Sequence, residues 1–466
     1  MRQILLSGLA GVLLCGPAAA APRFVDDPYP STYRPVASAP VLIEHATVLT
    51  GTGQRLEDAD VLLADGKVQA VGTGLAAPAN ATRIDARGKW VTPGIIDIHS
   101  HLGVYPSPGV KAHADGNEMT APVTPNVWAE HSIWPQDPGF LTALAGGITS
   151  LQVLPGSANL IGGRGVTLKN VPSTTYQAMK FPGAPWGLKM ACGENPKRVY
   201  GEKGGPATRM GNVAGYRAAF IDAAEYLRKN APKQSTTEKK HWWSKAGDED
   251  SGGDSGGKRD LKLDTLAGAI NGDIRVHIHC YRADEMATMI DLSKEFGFHV
   301  AAFHHAVEAY KIGDRLATEN ICAGMWADWW GFKMEAFDGI QENIALVDRV
   351  PKSCAIVHSD SEEGIQRLNQ EAAKAIASAR RAGIDIPPEH AITWLTANAA
   401  KALGIERQTG TLEAGKMGDV VVWNGSPFSS YALAEQVYID GAEIYDRHAQ
   451  RLQPVSDFML GQEVTP

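Results

Sequence analysis

Cysteine is scarce in this chain, with five residues among 466. A scaffold stapled by many disulfides is excluded, and a chain of this length draws its stability from a large core. No basic face with interleaved aromatics occurs. With 52 acidic against 44 basic residues, the formal charge is −8, which argues against nucleic acid as a partner. Past the first residues, no apolar run approaches the ~18 residues that mark a spanning helix, so no membrane insertion is expected. A P-loop is missing too, because the Gly-rich stretch Ile161-Gly162-Gly163-Arg164-Gly165 lacks the Gly-Lys-Ser/Thr ending. There is no internal repeat beyond an alternation of strand-like and helix-like texture. What is present is ordinary globular composition, 44% hydrophobic and 21% charged. That suits one large domain with a smaller companion.

The N-terminus departs from this texture. Arg2 precedes apolar residues 4–14, and Pro17-Ala18-Ala19-Ala20 ends in small side chains. This is the pattern of a secretory signal, so residues 1–21 are read as a signal peptide and the mature chain as periplasmic or secreted. Cys15 raises the question of a lipid anchor. Leu14 stands where a lipoprotein signal carries a small residue, which favours a soluble form. The even count of remaining cysteines, Cys192, Cys280, Cys322 and Cys354, permits disulfides. Each lies in or beside an apolar run such as RVHIHC or SCAIVH, and the reading adopted is buried thiols packed as small hydrophobes.

Residues 22–94 show short β-branched runs separated by Gly, Asp and Asn turns, as in VLIEHATVLTG and DADVLLADGKVQAVG. From 95 to 404 the texture becomes strand, loop and helix in alternation, with GITSLQVL, WGLKMAC, IRVHIHC, HVAAFHH, NICAGMW and CAIVHSD as strands. Continuous apolar strands between helices predict an α/β fold, a (β/α)8 TIM-like barrel. Residues 405–450 return to strands, in GDVVVWN and EQVYIDGAEIYD. The two β parts are expected to pair into a small β-sandwich domain built from both chain ends. Residues 233–262, rich in Gly, Ser and charge, read as a flexible surface insertion. Residues 451–466 read as a tail.

The chemistry starts at Ile95-Ile96-Asp97-Ile98-His99-Ser100-His101, an apolar strand ending in two histidines two apart. Positions i and i+2 share one strand face, so both imidazoles can reach one metal ion. The carboxyl ends of parallel barrel strands form the active-site face, which is where the pair falls. Two further strands carry histidine pairs, His277 with His279 and His304 with His305. Adjacent strand residues point to opposite faces, so only one of His304 and His305 is expected to face the metal. Lys189 interrupts the apolar strand WGLKMA, an unusual place for lysine. Asp360 ends the strand CAIVHSD, as a ligand or as the cap of a following helix.

With VTPGIIDIHSH before the barrel and TGTLEAGKMGDVVVWNGSPF after it, the chain resembles the amidohydrolase superfamily over roughly residues 41–448. Within it, the similarity is to the imidazolonepropionase-related, prolidase-like group. The resemblance implies a divalent metal centre, two zinc ions per subunit being the expectation, though the ligand types suit other divalent ions as well. It implies His99, His101, His279, His305 and Asp360 as ligands, with Asp360 also moving the proton. His277 is then a packed or supporting histidine, and His304 an alternative to His305. The resemblance also implies Lys189 as a carboxylated bridging lysine, with Glu194 in the CGENPKRVYG turn as its rival.

Other residues suggest substrate contacts. Arg164 is a candidate for an anion, and Lys197, Arg198, Tyr200 and Arg282 for a substrate carboxylate. His358 could touch substrate or support the ligands. Trp326, in the run Met325-Trp326-Ala327-Asp328-Trp329-Trp330, could wall the pocket. The function expected is hydrolysis of a C–N amide bond in a cyclic amide, an N-acyl amino acid or a short peptide by a metal-activated hydroxide. The alternatives are a mononuclear deaminase and a non-catalytic protein of the same fold. The deaminase branch places a glutamate three residues after the fifth-strand histidine, where this chain has Arg282. Substrate identity and oligomeric state, including a possible homo-oligomer, are not written in any motif.

Overall fold

The structure, a computed structural model, describes residues 27–107, 109–230, 259–329 and 331–449. The expected signal peptide, Cys15, Trp330, residues 451–466 and most of the 233–262 segment lie outside these residues. The end of that segment is described: Asp260 accepts from the Lys262 and Leu263 N–H groups and so caps a helix over Leu261–Asn271.

The N-terminal strands are β1 (Val41–Leu49), β2 (Arg55–Ala64), β3 (Lys67–Gly72), β4 (Thr82–Asp85) and β5 (Trp90–Pro93). The barrel follows with β6 (Ile95–Ser100), β7 (Ile148–Val153), β8 (Ile161–Lys169), β9 (Trp186–Ala191), β10 (Ile274–His279), β11 (Val300–His304), β12 (Cys322–Met325) and β13 (Ala355–Val357). Every residue of β6, β7, β8 and β11 is buried. Burial on both faces is what the continuous apolar runs require, with helices such as Pro138–Ala145, Ala283–Phe296 and Leu368–Arg381 in the chain between and after them.

The barrel is nearly closed and of mixed direction, where the sequence predicts eight parallel strands. β8 runs antiparallel to both β7 and β9, while the other ladders are parallel. The segment 154–160 is too short for the dozen or so residues that a parallel crossover needs, so the chain must turn back. β8 contains the Gly-rich stretch Ile161-Gly162-Gly163-Arg164-Gly165. Its glycines serve close approach: a Cβ on Gly163, which has φ +120°, would meet the Val127 carbonyl oxygen at 2.3 Å.

The chain then returns through β14 (Val420–Trp423), β15 (Ala434–Ile439) and β16 (Ala442–Asp446). β5 pairs with β1 on one side and β14 on the other, so both chain ends join one eight-stranded sheet. A buried cluster ties this sheet to the barrel. Lys169, the last residue of β8, reaches Asp419 at 3.0 Å and Asp440 at 3.1 Å, and the Tyr33 hydroxyl donates to Asp440 at 2.6 Å.

All four described cysteines are paired, Cys192 with Cys280 and Cys322 with Cys354. This corrects the reading as free thiols. Ala191 lies opposite His279 in the β9–β10 ladder, so Cys192 and Cys280 come next in register, with Cα atoms 5.2 Å apart. Ala323 lies opposite Ala355, which places Cys322 and Cys354 side by side at 4.5 Å. Both separations suit a bridge.

Candidate metal centre

Because β8 is reversed, β9 regains the direction of β6 and β7, and the carboxyl ends of β6, β9, β10 and β11 meet on one face. His99 is buried near the end of β6, its Nε2 3.3 Å from Asp360 Oδ1. His101 Nε2 lies 3.2 Å from the same oxygen. His101 Nδ1 is 2.8 Å from the Leu154 carbonyl. A carbonyl only accepts, so Nδ1 carries the proton and Nε2 keeps its lone pair toward Asp360. Ligand atoms of His99, His101 and Asp360 all lie within 4.8 Å of one another, as do those of His99, His304 and His358.

Lys189 is fully buried, its Nζ 3.1 Å from His99 Nε2 and donating to the Pro155 carbonyl at 3.1 Å. Burial, partly opposed by the negative charge of Asp360, brings its ammonium down to about 7. Glu194 goes elsewhere. It starts the helix Glu194–Tyr200, and its side chain faces Lys333 at 3.4 Å. Of the two candidate bridges, Lys189 is therefore the one beside His99.

Both members of the β11 pair enter the cluster, contrary to the alternation argument. His304 closes the strand and bonds His99 Nδ1 and His277 Nδ1, each at 2.9 Å. His305 has already left the strand with φ +56°, which swings its ring back to the same side. Its Nε2 is 3.7 Å from Asp360 Oδ2, and its Nδ1 is 2.8 Å from His358 Nε2. The His279 ring centre is 4.8 Å from that of His305. His277 packs against His304, as a supporting histidine would.

Burial, reinforced by the Lys189 charge and neighbouring imidazoles, holds His99, His279, His304 and His305 well below the usual histidine range. Neutral imidazole is the form that binds metal. His279 Nδ1, His305 Nε2, His358 Nδ1 and His277 Nε2 are buried with no hydrogen-bond partner among the described residues. Leaving such atoms orphaned costs about 1–3 kcal/mol each. A divalent cation fits the ligand atoms of His99, His101 and Asp360, which lie within 4.8 Å of one another.

Of the expected substrate contacts, Trp326 and His358 reach the centre. The Trp326 ring stacks on His305 at 4.3 Å and on His358 at 5.3 Å. Arg164 does not. In register it faces Leu188, the neighbour of Lys189, so it points away from the lysine's side of the sheet. Its guanidinium lies buried over Trp128 at 4.1 Å and donates to Thr265 Oγ1 at 2.8 Å. Arg198 is exposed on the helix after β9. Tyr200 is buried, and Arg282 pairs with the adjacent Asp284 at 2.9 Å.

Sequence reasoning missed Asn195, Tyr281 and Lys333. Asn195 Nδ2 is 3.4 Å from His279 Nε2, and Lys333 Nζ sits 4.1 Å from the centre of the Tyr281 ring. None carried a motif. Asp97 was also left without a role, although an acid inside the apolar strand IIDIHS was a readable signal. Its carboxyl is fully buried, which raises it to about 7 against the hydrogen bonds from Ser359 and His99.

Residues 338–447 match the amidohydrolase family. The crystal structure of an amidohydrolase from Thermotoga maritima MSB8 superimposes with a TM-score of 0.75 and 35% identity, covering 87% of this chain and 100% of that one. Amidohydrolase tasK of Hapsidospora irregularis is 32% identical over 439 residues, which is 87% of this chain and 43% of tasK. A dihydroorotase of Citrifermentans bemidjiense is 36% identical over 107 residues, 23% of this chain and 20% of that protein. The chain thus spans under half the length of the curated relatives it matches. Among the described residues no helix is long and apolar enough to cross a membrane.

Proposed function

Because the chain belongs to the amidohydrolase family, we propose that it is a metal-dependent hydrolase of C–N amide bonds in a small cyclic amide, an N-acyl amino acid or a short peptide. The observation that carries this reading is the convergence of His99, His101 and Asp360 beside buried Lys189 at the carboxyl ends of the strands. His99, His101, His279, His305 and Asp360 would hold the metal, with His304 and His358 within reach of His99. Bound divalent ions would polarise the scissile carbonyl and acidify the attacking water.

The protein's own groups do the rest. Near neutral pH a share of Lys189 is uncharged amine. Its Nζ could therefore add to carbon dioxide, forming an N–C bond and releasing a proton, to give the anionic bridge expected of a carboxylated lysine. Asp360 accepts the proton of the attacking water and returns it to the leaving nitrogen. Trp326, stacked on His305 and His358, excludes water from one side. Export to an oxidising compartment is part of the proposal, supported by the two disulfides.

The test is metal analysis with turnover of a panel of cyclic amides, N-acyl amino acids and dipeptides. Stoichiometric metal and a loss of about 10²-fold or more in kcat for Asp360→Asn are expected. Full activity in metal-loaded Asp360→Asn sinks the mechanism.

A further inference from the structure

Between β6 and β13 the barrel has no strand ladder among the described residues. Asp360 stands across that seam from His99 and His101, so something other than sheet pairing must hold it there. Asp97 precedes His99 by two residues on β6 and is fully buried. Its Oδ1 accepts from the backbone N–H groups of Ser359 and His99, each at 3.2 Å, and its Oδ2 accepts from the Ser359 hydroxyl. That hydroxyl also lies 3.1 Å from the His99 carbonyl, which accepts the Asp360 N–H at 3.0 Å. Asp360 itself has φ +60°, a conformation that a non-glycine residue keeps only when its surroundings hold it.

We propose that Asp97 and Ser359 form a positioning clamp that closes the open seam and fixes the Asp360 carboxylate against His99 and His101. The clamp requires the Asp97 side chain. Three donors converge on its two oxygens, and an alanine would leave all three without that acceptor. It rests on the metal-centre reading only for its effect on metal affinity, since the hydrogen bonds belong to the protein alone.

The experiment compares Asp97→Ala, Ser359→Ala, their double variant and Ser359→Thr with the full-length parent. The readouts are zinc affinity by chelator competition, the visible spectrum of the cobalt(II)-loaded protein, and amide hydrogen exchange without metal. Asp97→Ala and Ser359→Ala should each weaken zinc by about 10–100-fold. The double variant should add little to either, and Ser359→Thr, which keeps the hydroxyl, should restore binding and the cobalt spectrum. Exchange should speed up at Ser359 and Asp360 while β9 to β12 stay protected. Unchanged protection at those two amides in Asp97→Ala overturns the clamp. So does a uniform loss of protection across the barrel, which marks an ordinary core residue. A parent that binds no zinc removes the metal reading, and the exchange pattern alone then decides the clamp.

Discussion

Removing the disulfides should lower stability by an amount that the loop lengths set. The bridges close loops of 88 and 32 residues in sequence separation. Loop-closure entropy then gives about 4.6 kcal/mol for Cys192–Cys280 and about 3.7 kcal/mol for Cys322–Cys354 at 25 °C. An unfolding entropy of ~2.1 cal/mol/K per residue comes to about 1 kcal/mol/K for this chain, so each loss should lower Tm by roughly 4–5 °C. The paired variants Cys192→Ala/Cys280→Ala and Cys322→Ala/Cys354→Ala would be melted in a calorimeter with and without reductant. The parent should drop by roughly 8–9 °C in reductant, to the level of the quadruple variant, which should itself be insensitive. The pairs also differ in place. Cys192 and Cys280 directly follow the strands of Lys189 and His279, whereas Cys322 opens β12 and Cys354 precedes β13. Zinc affinity should therefore fall in the first pair and hold in the second. A parent that melts identically in reductant, with all four cysteines titrating as thiols after denaturation, refutes the argument and restores the free-thiol reading.

Three other outcomes follow from the site and its surroundings. Lys189→Met should reduce bound zinc by at least about tenfold, while Glu194→Gln, paired with Lys333, should leave it near the parent value. Plasma emission measurements on dialysed protein separate the two, and the reverse order would return the bridge to Glu194. Arg164→Ala should cost about 2–3 kcal/mol through lost packing against Trp128 and Trp186, with kcat/KM unchanged. A raised KM at unchanged Tm would instead make Arg164 a substrate contact. His390 is raised above the usual histidine value, chiefly by its hydrogen bond to Asp348. A folded pKa above the unfolded one adds stability that is full below about pH 6.5 and fades as pH climbs through the folded value. In denaturant melts, His390→Gln should trail the parent by about 0.2–1 kcal/mol near pH 6, and the gap should narrow toward pH 8. A gap that widens with pH contradicts that sign.

The parts of the fold legible in the sequence are those governed by a period within one element. The His99–His101 pair followed from the two-residue repeat of a strand, and both imidazoles do converge on Asp360. The apolar strands of the barrel were readable because burial on both faces leaves a continuous hydrophobic run. The direction of β8 was not. Glycines removed its hydrophobic signature, and their purpose, the approach of Val127 and Leu154, depends on chain that is distant or folded back. Disulfide pairing likewise depends on which strands become neighbours and in what register, and so does the outward face of Arg164.

The site is harder to read than the scaffold for a related reason: it is assembled where the periods stop. His305 directly follows β11, Asp360 lies beyond β13 after His358 and Ser359, and both hold positive φ, at +56° and +60°. Alternation therefore fails at His305, where it was used to choose between neighbouring histidines. It rejected one of His304 and His305, although a single left-handed residue turns both rings toward His99. A strand pattern specifies direction only until the backbone turns: His101, one residue past β6, keeps it, whereas His305, at positive φ, does not. Where the backbone turns, side-chain position is set by whatever pins it, which for Asp360 is the hydrogen bonding of Asp97 and Ser359 across the seam. A buried acid two residues before His99 was thus the one available hint that the far side of the barrel had to be fastened there.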